Sequence, residues 1–242
     1  MKAVVVENLS YRYQAEGLAI LKKLSFDIAR GEIVVLTGLS GCGKSTLCYC
    51  LSGIIPNCRG GIMEGKVLIN GKNTRDSGVA CLAEEVGMVF QDPDTQLFSP
   101  TVEDEIAFAP ENMCLSPIHI RERVDYAVDL LGIGSLIEVN PHQLSGGEKH
   151  LVALASVLTL DPPVLVLDEV LSQLDHAGRK KVARALEKLR SQGKTIIAVE
   201  HDIKTAVIAD RIIVMQNGEL IRYEPRETLL ADRDFLLASR LI

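Results

Sequence analysis

The chain has 242 residues, of which 47% are apolar and 24% are charged, and its formal net charge is −6. Charges of both signs are interspersed without a long Lys/Arg run, which argues against a nucleic-acid partner. No apolar run reaches the length of a membrane span, MKAVVVENLS lacks a signal-peptide pattern, and the six cysteines form no C-x-x-C pair. We therefore expect a globular cytosolic chain with reduced thiols.

The first third of the chain is predicted to be rich in strands. Tyr11 and Tyr13 lie between its first two strands. An aromatic ring near a nucleotide site can stack on a base, but spacing alone favours ordinary half-buried strand tyrosines here. The predicted strands are Lys2–Leu9, Leu24–Ile28, Lys66–Ile69 and Val86–Phe90.

A glycine-rich loop lies between a buried strand and a helix. Ile33–Thr37 is apolar and β-branched, and the next eight residues, GLSGCGKS, fit G-x-x-x-x-G-K-[ST] at every fixed position. The helical spacing of Leu47, Leu51 and Ile54 follows. Glycines let backbone N–H groups approach a phosphate closely, at the positive end of the helix dipole. The alternative, a glycine-rich turn with an incidental Lys-Ser pair, does not explain the full match, so the chain is predicted to bind a nucleoside triphosphate.

The middle of the chain is predicted to be helical. Thr101 begins one helix, and Ser116-Pro117 begins another that Gly132 ends. The change in pattern suggests a helical subdomain at about residues 92–160, inserted into an α/β core. In the loop from Gln91 to Pro100, before the helix that Thr101 begins, Leu97 and Phe98 are predicted to be exposed and to contact a membrane partner, although they could also fold back onto the core.

The stretch LSGGE is open to two interpretations. Ser145 and Glu148 have the spacing of a capping box, so the stretch could simply begin a helix from about Lys149 to Thr159. The same geometry places a hydroxyl and bare N–H groups at a helix N-terminus, which is a phosphate site. Both can be true.

Two further buried strands end in polar residues. Val164–Leu167 is followed by Asp168-Glu169, and Thr195–Val199 is followed by Glu200-His201. Ligands bind at the carboxyl edge of such parallel sheets, so these side chains are expected beside Lys44. One carboxylate can hold Mg²⁺ while the other orients or deprotonates a water. Ile212–Met215 and Glu219–Ile221 are predicted to form a hairpin.

In this order, GLSGCGKST, Gln91, LSGGE, VLVLDE, SQLD and His201 resemble the ATPase subunit of ABC transporters over nearly the whole chain. The segment FQDPDTQLFSPTVEDEIAFAPEN looks more specifically like the ATPases of energy-coupling factor importers of vitamins, cobalt or nickel. The resemblance implies an α/β fold: a P-loop NTPase core with a mostly parallel sheet, an N-terminal antiparallel β subdomain and an inserted helical subdomain.

The resemblance also implies roles for individual residues. Tyr13 would stack on adenine, which reverses the interpretation from spacing. Glu169 would act on the attacking water and His201 on the γ-phosphate, with Lys44 completing the catalytic set. Mg²⁺ would be held by Ser45, Gln91 and Asp168. The phosphates would be cradled by Gly38, Ser40, Gly41, Cys42, Gly43, Lys44, Ser45 and Thr46, and the ATP of the opposite subunit would be contacted by Ser145, Gly146 and Gly147, with Asp175 at the subunit interface.

Such ATPases act as head-to-tail dimers that ATP closes and hydrolysis opens. The implied partners are a second ATPase subunit, a transmembrane coupling protein and a substrate-binding membrane component, which would place the chain on the inner face of the membrane. This sequence departs from the family pattern at Glu148, at Lys149-His150-Leu151, where a Gln-Arg pair is common, and at Val170-Leu171, where Pro-Thr is usual.

Other functions fit the sequence less well. DNA-repair ABC ATPases carry a long coiled coil or zinc-bearing insertion between the two glycine motifs, and here only about 100 residues intervene, without heptads. Translation-factor ABC proteins normally carry two cassettes in one chain. A purely structural nucleotide-binding role is disfavoured by Asp168, Glu169 and His201 together.

Overall fold

The computed structural model describes residues 1–201 and 203–241. Within them the strands are β1 (Lys2–Arg12), β2 (Leu21–Ala29), β3 (Ile33–Thr37), β4 (Ile62–Ile69), β5 (Lys72–Asn73), β6 (Val86–Val89), β7 (Val164–Asp168), β8 (Thr195–Val199), β9 (Arg211–Gln216) and β10 (Glu219–Pro225). They form two sheets, one of six strands in the order β10-β9-β3-β8-β7-β6 and one of four in the order β2-β1-β4-β5.

The α-helices connect and cover these strands. The helices are α1 (Lys44–Leu51), α2 (Ile54–Asn57), α3 (Val79–Ala83), α4 (Val102–Asn112), α5 (Pro117–Leu131), α6 (Gly146–Leu158), α7 (His176–Ser191), α8 (Arg226–Ala231) and α9 (Arg233–Ala238). Three of them, α4 to α6, lie between β6 and β7 in the chain. Short 3₁₀ turns occur at Pro93–Thr95, Gly134–Leu136, Pro141–Gln143, Leu171–Gln173 and Ile203–Ile208.

Within the six-stranded sheet, the strands β3, β6, β7 and β8 are buried on both faces. In β3, Ile33 and Val35 belong to the hydrophobic cluster that includes residues of α4 to α7, whereas Val34 and Leu36 belong to the cluster that includes α1 and the four-stranded sheet. Successive side chains of a strand point to opposite faces, so each face packs on a different layer. This explains why the strand sequences are continuously apolar, as predicted.

The parallel pairing of this sheet brings distant parts of the chain together. Strands β6, β7, β8 and β3 are parallel neighbours. Their carboxyl ends therefore lie along one edge, and each leads directly into a segment predicted to carry chemistry. The four-stranded sheet is antiparallel throughout, so the α/β architecture with a separate antiparallel sheet is confirmed.

The helix boundaries follow local signals. The side chains of Thr101, Ser116 and Ser145 each accept a hydrogen bond from the first turn of α4, α5 and α6. Gly132 ends α5 in the left-handed conformation, where a residue without a Cβ is favoured. Among the described residues, no helix is long and apolar enough to cross a membrane.

Several predicted boundaries were wrong. β1 continues to Arg12, so that Tyr11 is a buried strand residue, and α6 begins at Gly146 rather than at Lys149. The helix after the glycine-rich loop stops at Leu51, and Ile54 belongs to α2 beyond a left-handed Gly53.

The prediction that Leu97 is exposed was also wrong. Only 3% of Leu97 is accessible, because the side chain packs into the cluster with α4 and α6. Phe98 is 61% exposed, as predicted, and packs edge-on against Phe108, with ring centroids 4.7 Å apart.

Candidate nucleotide site

The carboxyl ends of the parallel strands surround a cleft of about 310 Å³. The glycine-rich loop after β3, the loop after β6, the turn after β7 and the segment after β8 all contribute to it. The lining residues are Tyr13, Ile20, Ser40, Gly41, Gly43, Lys44, Ser45, Thr46, Gln91, Glu169 and His201. The fold thus brings together most residues that the sequence singled out.

The glycine-rich loop has a backbone that other residues would strain. Gly38 has φ +149°, and a Cβ there would lie 2.2 Å from the carbonyl oxygen of Met215. Gly43 has φ +103°, and a Cβ there would lie 2.9 Å from the side chain of Leu21. A side chain at either position would therefore displace the loop, which is the physical reason for glycine in this part of the motif.

Lys44 is the first residue of α1 and is buried inside the loop. Its Nζ donates hydrogen bonds to the carbonyl oxygens of Gly38 and Leu39, at 2.8 and 3.2 Å. The ammonium group is thus positioned at the helix N-terminus, where the dipole and the loop N–H groups also favour an anion.

Asp168 lies beneath the cleft and is 1% exposed. Burial raises the pKa of its carboxyl group, and a hydrogen bond from Ser45 partly opposes that shift. Its Oδ1 has no hydrogen-bond partner among the described residues. A divalent cation beside Ser45 would compensate both the buried charge and the unpaired oxygen, so these residues fit Mg²⁺.

The protein groups alone do not form a closed metal cage. Within residues 1–201 and 203–241, no group of three His, Cys, Asp or Glu side chains is arranged to hold a metal. Mg²⁺ commonly keeps waters and binds one or two protein groups together with substrate phosphates. The open arrangement therefore suits a cation that arrives with a triphosphate.

Glu169 is held at the centre of the cleft in a strained conformation. Its φ is +58°, a region that non-glycine residues seldom adopt and that is enriched at functional sites. Its Oε2 accepts a hydrogen bond from Gln91 Nε2 at 2.7 Å, and its Oε1 lies 2.5 Å from His201 Nε2. The carboxylate predicted to act on water is thus connected to the loops after β6 and β8.

The two tyrosines have different environments. Tyr11 is buried, and Tyr13 is 47% exposed at the edge of the cleft. The Tyr13 hydroxyl is 3.2 Å from Thr46 Oγ1, and its ring packs edge-on against Tyr11. This leaves a ring face available beside the phosphate loop, where a base could stack.

The LSGGE stretch begins α6 with a complete capping box. The Glu148 carboxylate accepts hydrogen bonds from the Ser145 N–H at 2.9 Å and from the Ser145 hydroxyl at 2.7 Å. These bonds hold the pKa of Glu148 below its usual range. The structural interpretation of this stretch is confirmed, and the phosphate interpretation stays a prediction.

Residues of α6 do not line the cleft around Lys44. Gly146 instead lines a neighbouring cleft with Gln91, Asp92 and Lys149. Asp175 is the N-cap of α7, where its Oδ1 accepts a hydrogen bond from Gly178 N at 2.7 Å. One chain therefore does not bring Ser145, Gly146, Gly147 or Asp175 to its own Lys44 cleft.

His150 and Lys149 had no predicted role from the sequence. His150 is 3% exposed, with Nδ1 2.8 Å from the Gly146 carbonyl oxygen and Nε2 3.2 Å from that of Gln91. Lys149 Nζ lies 2.6 Å from Asp94 Oδ1. The contacts of His150 with Gln91 and of Lys149 with Asp94 join segments more than 50 residues apart, and the only signal in the sequence was the departure of both residues from the family pattern.

Comparisons with known proteins identify the family. Residues 21–172 match the family model described as ABC transporter. The chain is 41% identical over 228 residues to the energy-coupling factor transporter ATP-binding protein EcfA of Methanosarcina acetivorans, covering 94% of this chain and 81% of that protein. It is 42% identical over 92% of its length to an ABC transporter ATP-binding protein of Methanosarcina mazei, of which it spans 39%.

Solved structures agree with this assignment. CbiO1 from Clostridium perfringens, part of the ABC transporter complex CbiONQ, superposes with a TM-score of 0.85 at 36% identity, covering 99% of this chain and 95% of that one. The dimeric structure of MJ0796, a bacterial ABC transporter cassette, superposes with a TM-score of 0.81 at 28% identity, covering 92% and 98%. The family model spans more than half of the chain, so the chain belongs to the ABC transporter family and carries its ATPase cassette.

Proposed function

We propose that this chain is the ATP-binding and ATP-hydrolysing subunit of an importer of the energy-coupling factor type. The observation that carries the proposal is the convergence of Lys44, Asp168, Glu169 and His201 on one edge of the parallel sheet. The similarity to EcfA and to CbiO1 supports the importer type. The chain would form one domain, with residues 92–160 as a helical subdomain.

Each site residue has a role toward ATP that follows from its chemistry. The loop from Gly38 to Thr46 binds the phosphates, and Lys44 exchanges its carbonyl partners for the outer phosphate oxygens. Tyr13 offers its ring face to adenine. Mg²⁺, held beside Ser45, Asp168 and Gln91, would neutralise phosphate charge. Glu169 accepts a proton from, or orients, the attacking water, and His201 contacts the γ-phosphate.

The position of the LSGGE stretch supports a head-to-tail dimer. Ser145, Gly146 and Gly147 form a helix N-terminus that does not line their own Lys44 cleft, so it would be available to a phosphate on another chain. With Asp175 at the interface, two chains would enclose two ATP molecules. Closure with ATP and opening after hydrolysis would then form the two states that membrane subunits detect.

A membrane subunit would dock on the surface that contains Phe98 and Phe108. Both rings are exposed, at 61% and 44%. The sequence has no Lys or Arg between Arg75 and Arg121, and it carries several acids there. An exposed aromatic pair on an acidic segment suits an apolar element that carries basic side chains. This would place the chain on the cytoplasmic face of the membrane, with a coupling protein and a substrate-binding component.

The test of the nucleotide site is Lys44→Ala. The triphosphate would lose its buried cationic partner, so ATP affinity measured by calorimetry should fall by at least about tenfold, equivalent to about 1.4 kcal/mol. The exposed Lys66→Ala serves as the matched control and should bind as the wild type does. Unchanged affinity in a folded Lys44→Ala protein would contradict the assignment.

A further inference from the structure

His150 connects the first turn of α6 to the loop that carries Gln91. One ring nitrogen faces the Gly146 carbonyl oxygen at 2.8 Å, and the other faces the Gln91 carbonyl oxygen at 3.2 Å. Both partners are acceptors, so only the ring can donate: a neutral imidazole, with one N–H, donates to one carbonyl group, and an imidazolium donates to both. Because the ring is almost fully buried, water competes little for these carbonyl groups.

A second side chain joins the same two elements. Lys149, the neighbour of His150, reaches Asp94 at 2.6 Å, and its side chain is only 15% exposed. The loop is itself compact, since the Asp92 carboxylate caps the 3₁₀ turn Pro93–Thr95. Two side-chain contacts, His150 with Gln91 and Lys149 with Asp94, therefore connect the start of α6 to the loop from Gln91 to Gln96.

The connection continues from this loop to the centre of the cleft. The backbone of Gln91 is bound by His150, and its side chain donates to Glu169 at 2.7 Å. A shift of the Gln91 backbone therefore changes how its amide meets Glu169. Displacements of about 1 Å at a positioning group can cost on the order of 10²-fold in rate.

We propose that His150 is a positioning residue that fixes Gln91 relative to Glu169 and couples this contact to the first turn of α6. The inference rests on the proposed function, in which α6 meets the ATP of the opposite chain. ATP bound against Ser145–Gly147 of one chain would then set the placement of Gln91 in that same chain. His150 does not line the cleft around Lys44, so its effect on that cleft would pass through Gln91.

The kinetic test compares His150→Leu with His150→Gln in the assembled ATPase. Leucine fills the space without a donor, whereas the glutamine amide has two N–H donors and can bridge both carbonyl groups. His150→Leu should lower kcat by about tenfold or more with less than about twofold change in KM, and glutamine should restore most of the loss. The exposed His119→Leu is the matched control and should behave as wild type. Equal losses in the leucine and glutamine variants would overturn the proposal.

A double-mutant cycle tests the route through Gln91. In a Gln91→Ala background the side chain that reaches Glu169 is gone, so His150→Leu should have almost no further effect on kcat. A full tenfold loss in that background would show that His150 acts elsewhere and would contradict the proposal.

Hydrogen exchange provides a readout that does not depend on hydrolysis. The amides of Asp94, Thr95, Gln96 and Leu97 are hydrogen-bonded within the loop. In His150→Leu they should exchange faster, whereas in His150→Gln and His119→Leu they should match the wild type. Unchanged exchange of these amides in His150→Leu would contradict the proposal that His150 holds the loop of Gln91 in place. Absence of ATP hydrolysis by the wild type would instead contradict the proposed function, and the exchange result would still decide the role of His150.

Discussion

At the scale of single residues, the site contains groups that cost stability in the absence of nucleotide. Asp168 is a buried carboxylate with one unpaired oxygen, and burial raises its pKa. A raised pKa means that the charged form destabilises the folded state at pH values above the ordinary carboxyl range, hence at neutral pH. Glu169 adds a left-handed backbone conformation at φ +58°. A bound cation would compensate the buried charge of Asp168, and strained backbone of the kind at Glu169 is typical of functional sites.

The first prediction concerns Asp168→Asn. In protein free of metal and nucleotide, removal of the buried charge should raise Tm by at least about 2 °C, since about 1 kcal/mol shifts Tm by 2–4 °C in a protein of this size. The further rise in Tm on addition of Mg-ATP should be lost with the metal ligand. Differential scanning fluorimetry with and without Mg-ATP measures both effects.

The surface substitution Asp129→Asn on α5 serves as the control, since this aspartate is exposed. It should change neither the Tm of the free protein nor its response to Mg-ATP. A lower Tm for metal-free Asp168→Asn than for the wild type would mean that the buried carboxylate stabilises the fold, against the argument from burial.

At the scale of elements, features set by neighbouring residues in the sequence could be predicted, whereas features set by contacts between distant segments could not. The ends of α5 follow from Ser116 and Gly132, whose chemistry acts within a single turn. The continuously apolar β3 and β7 likewise predicted strands buried on both faces. Leu97 was expected to be exposed because it lies among turn residues in a loop, but its burial depends on α4 and α6, which no local pattern reveals.

The candidate site shows the same division. The glycine-rich loop and Asp168-Glu169 could be predicted because strand, turn and helix succeed one another in the chain. His201 could be placed at the same sheet edge as Glu169 from the strand ends, whereas Gln91 was assigned to the site only through the resemblance, and the hydrogen bonds of Glu169 with both depend on strand order. The bridge through His150 was missed, since a histidine within an apolar helix gives no signal of its partner 59 residues away.

The second prediction concerns the element that would dock on a membrane subunit. Phe98→Asp together with Phe108→Asp should abolish copurification with the transmembrane coupling protein, because the substitutions place charge at an apolar contact and add to an already acidic segment. ATP binding should persist, since neither ring lines the nucleotide cleft. Leu97 is unsuitable for this test because its burial means that substitution would disturb the fold.

A matched control for this experiment is Leu237→Asp, which alters another exposed apolar residue, 60% accessible and located on α9. It should leave copurification intact. Retained copurification by the folded phenylalanine double mutant would rule out this surface as the docking site.

At the scale of the whole molecule, the proposed function divides each nucleotide site between two chains. Lys44 lines one cleft, and Gly146, at the start of α6, lines a neighbouring one. In this proposal the first cleft would bind the phosphates of one ATP, and the start of α6 would contact the ATP of the opposite chain. This asymmetry favours two chains related head to tail, and it makes association dependent on ATP.

The last prediction follows from this dependence: Glu169→Gln should convert a transient ATP-bound dimer into a long-lived one. In the proposed mechanism the closed state would be held by Lys44, the cation and the start of α6 facing the γ-phosphate, whereas a carboxylate beside a polyanion would oppose closure. Glutamine keeps the size of Glu169 and can still accept the hydrogen bond from Gln91, but it cannot take a proton from water. Hydrolysis should fall by ~10²–10⁴-fold while binding survives.

Light scattering with Mg-ATP, with a second ATPase subunit present where the natural dimer pairs different chains, should show a dimer that persists for the variant and decays for the wild type. Adding Lys44→Ala to the same variant should remove the dimer, because the phosphates would lose their main side-chain partner. Hydrolysis at the wild-type rate by Glu169→Gln would show that another group acts on the water, and the proposed mechanism would be wrong at that step.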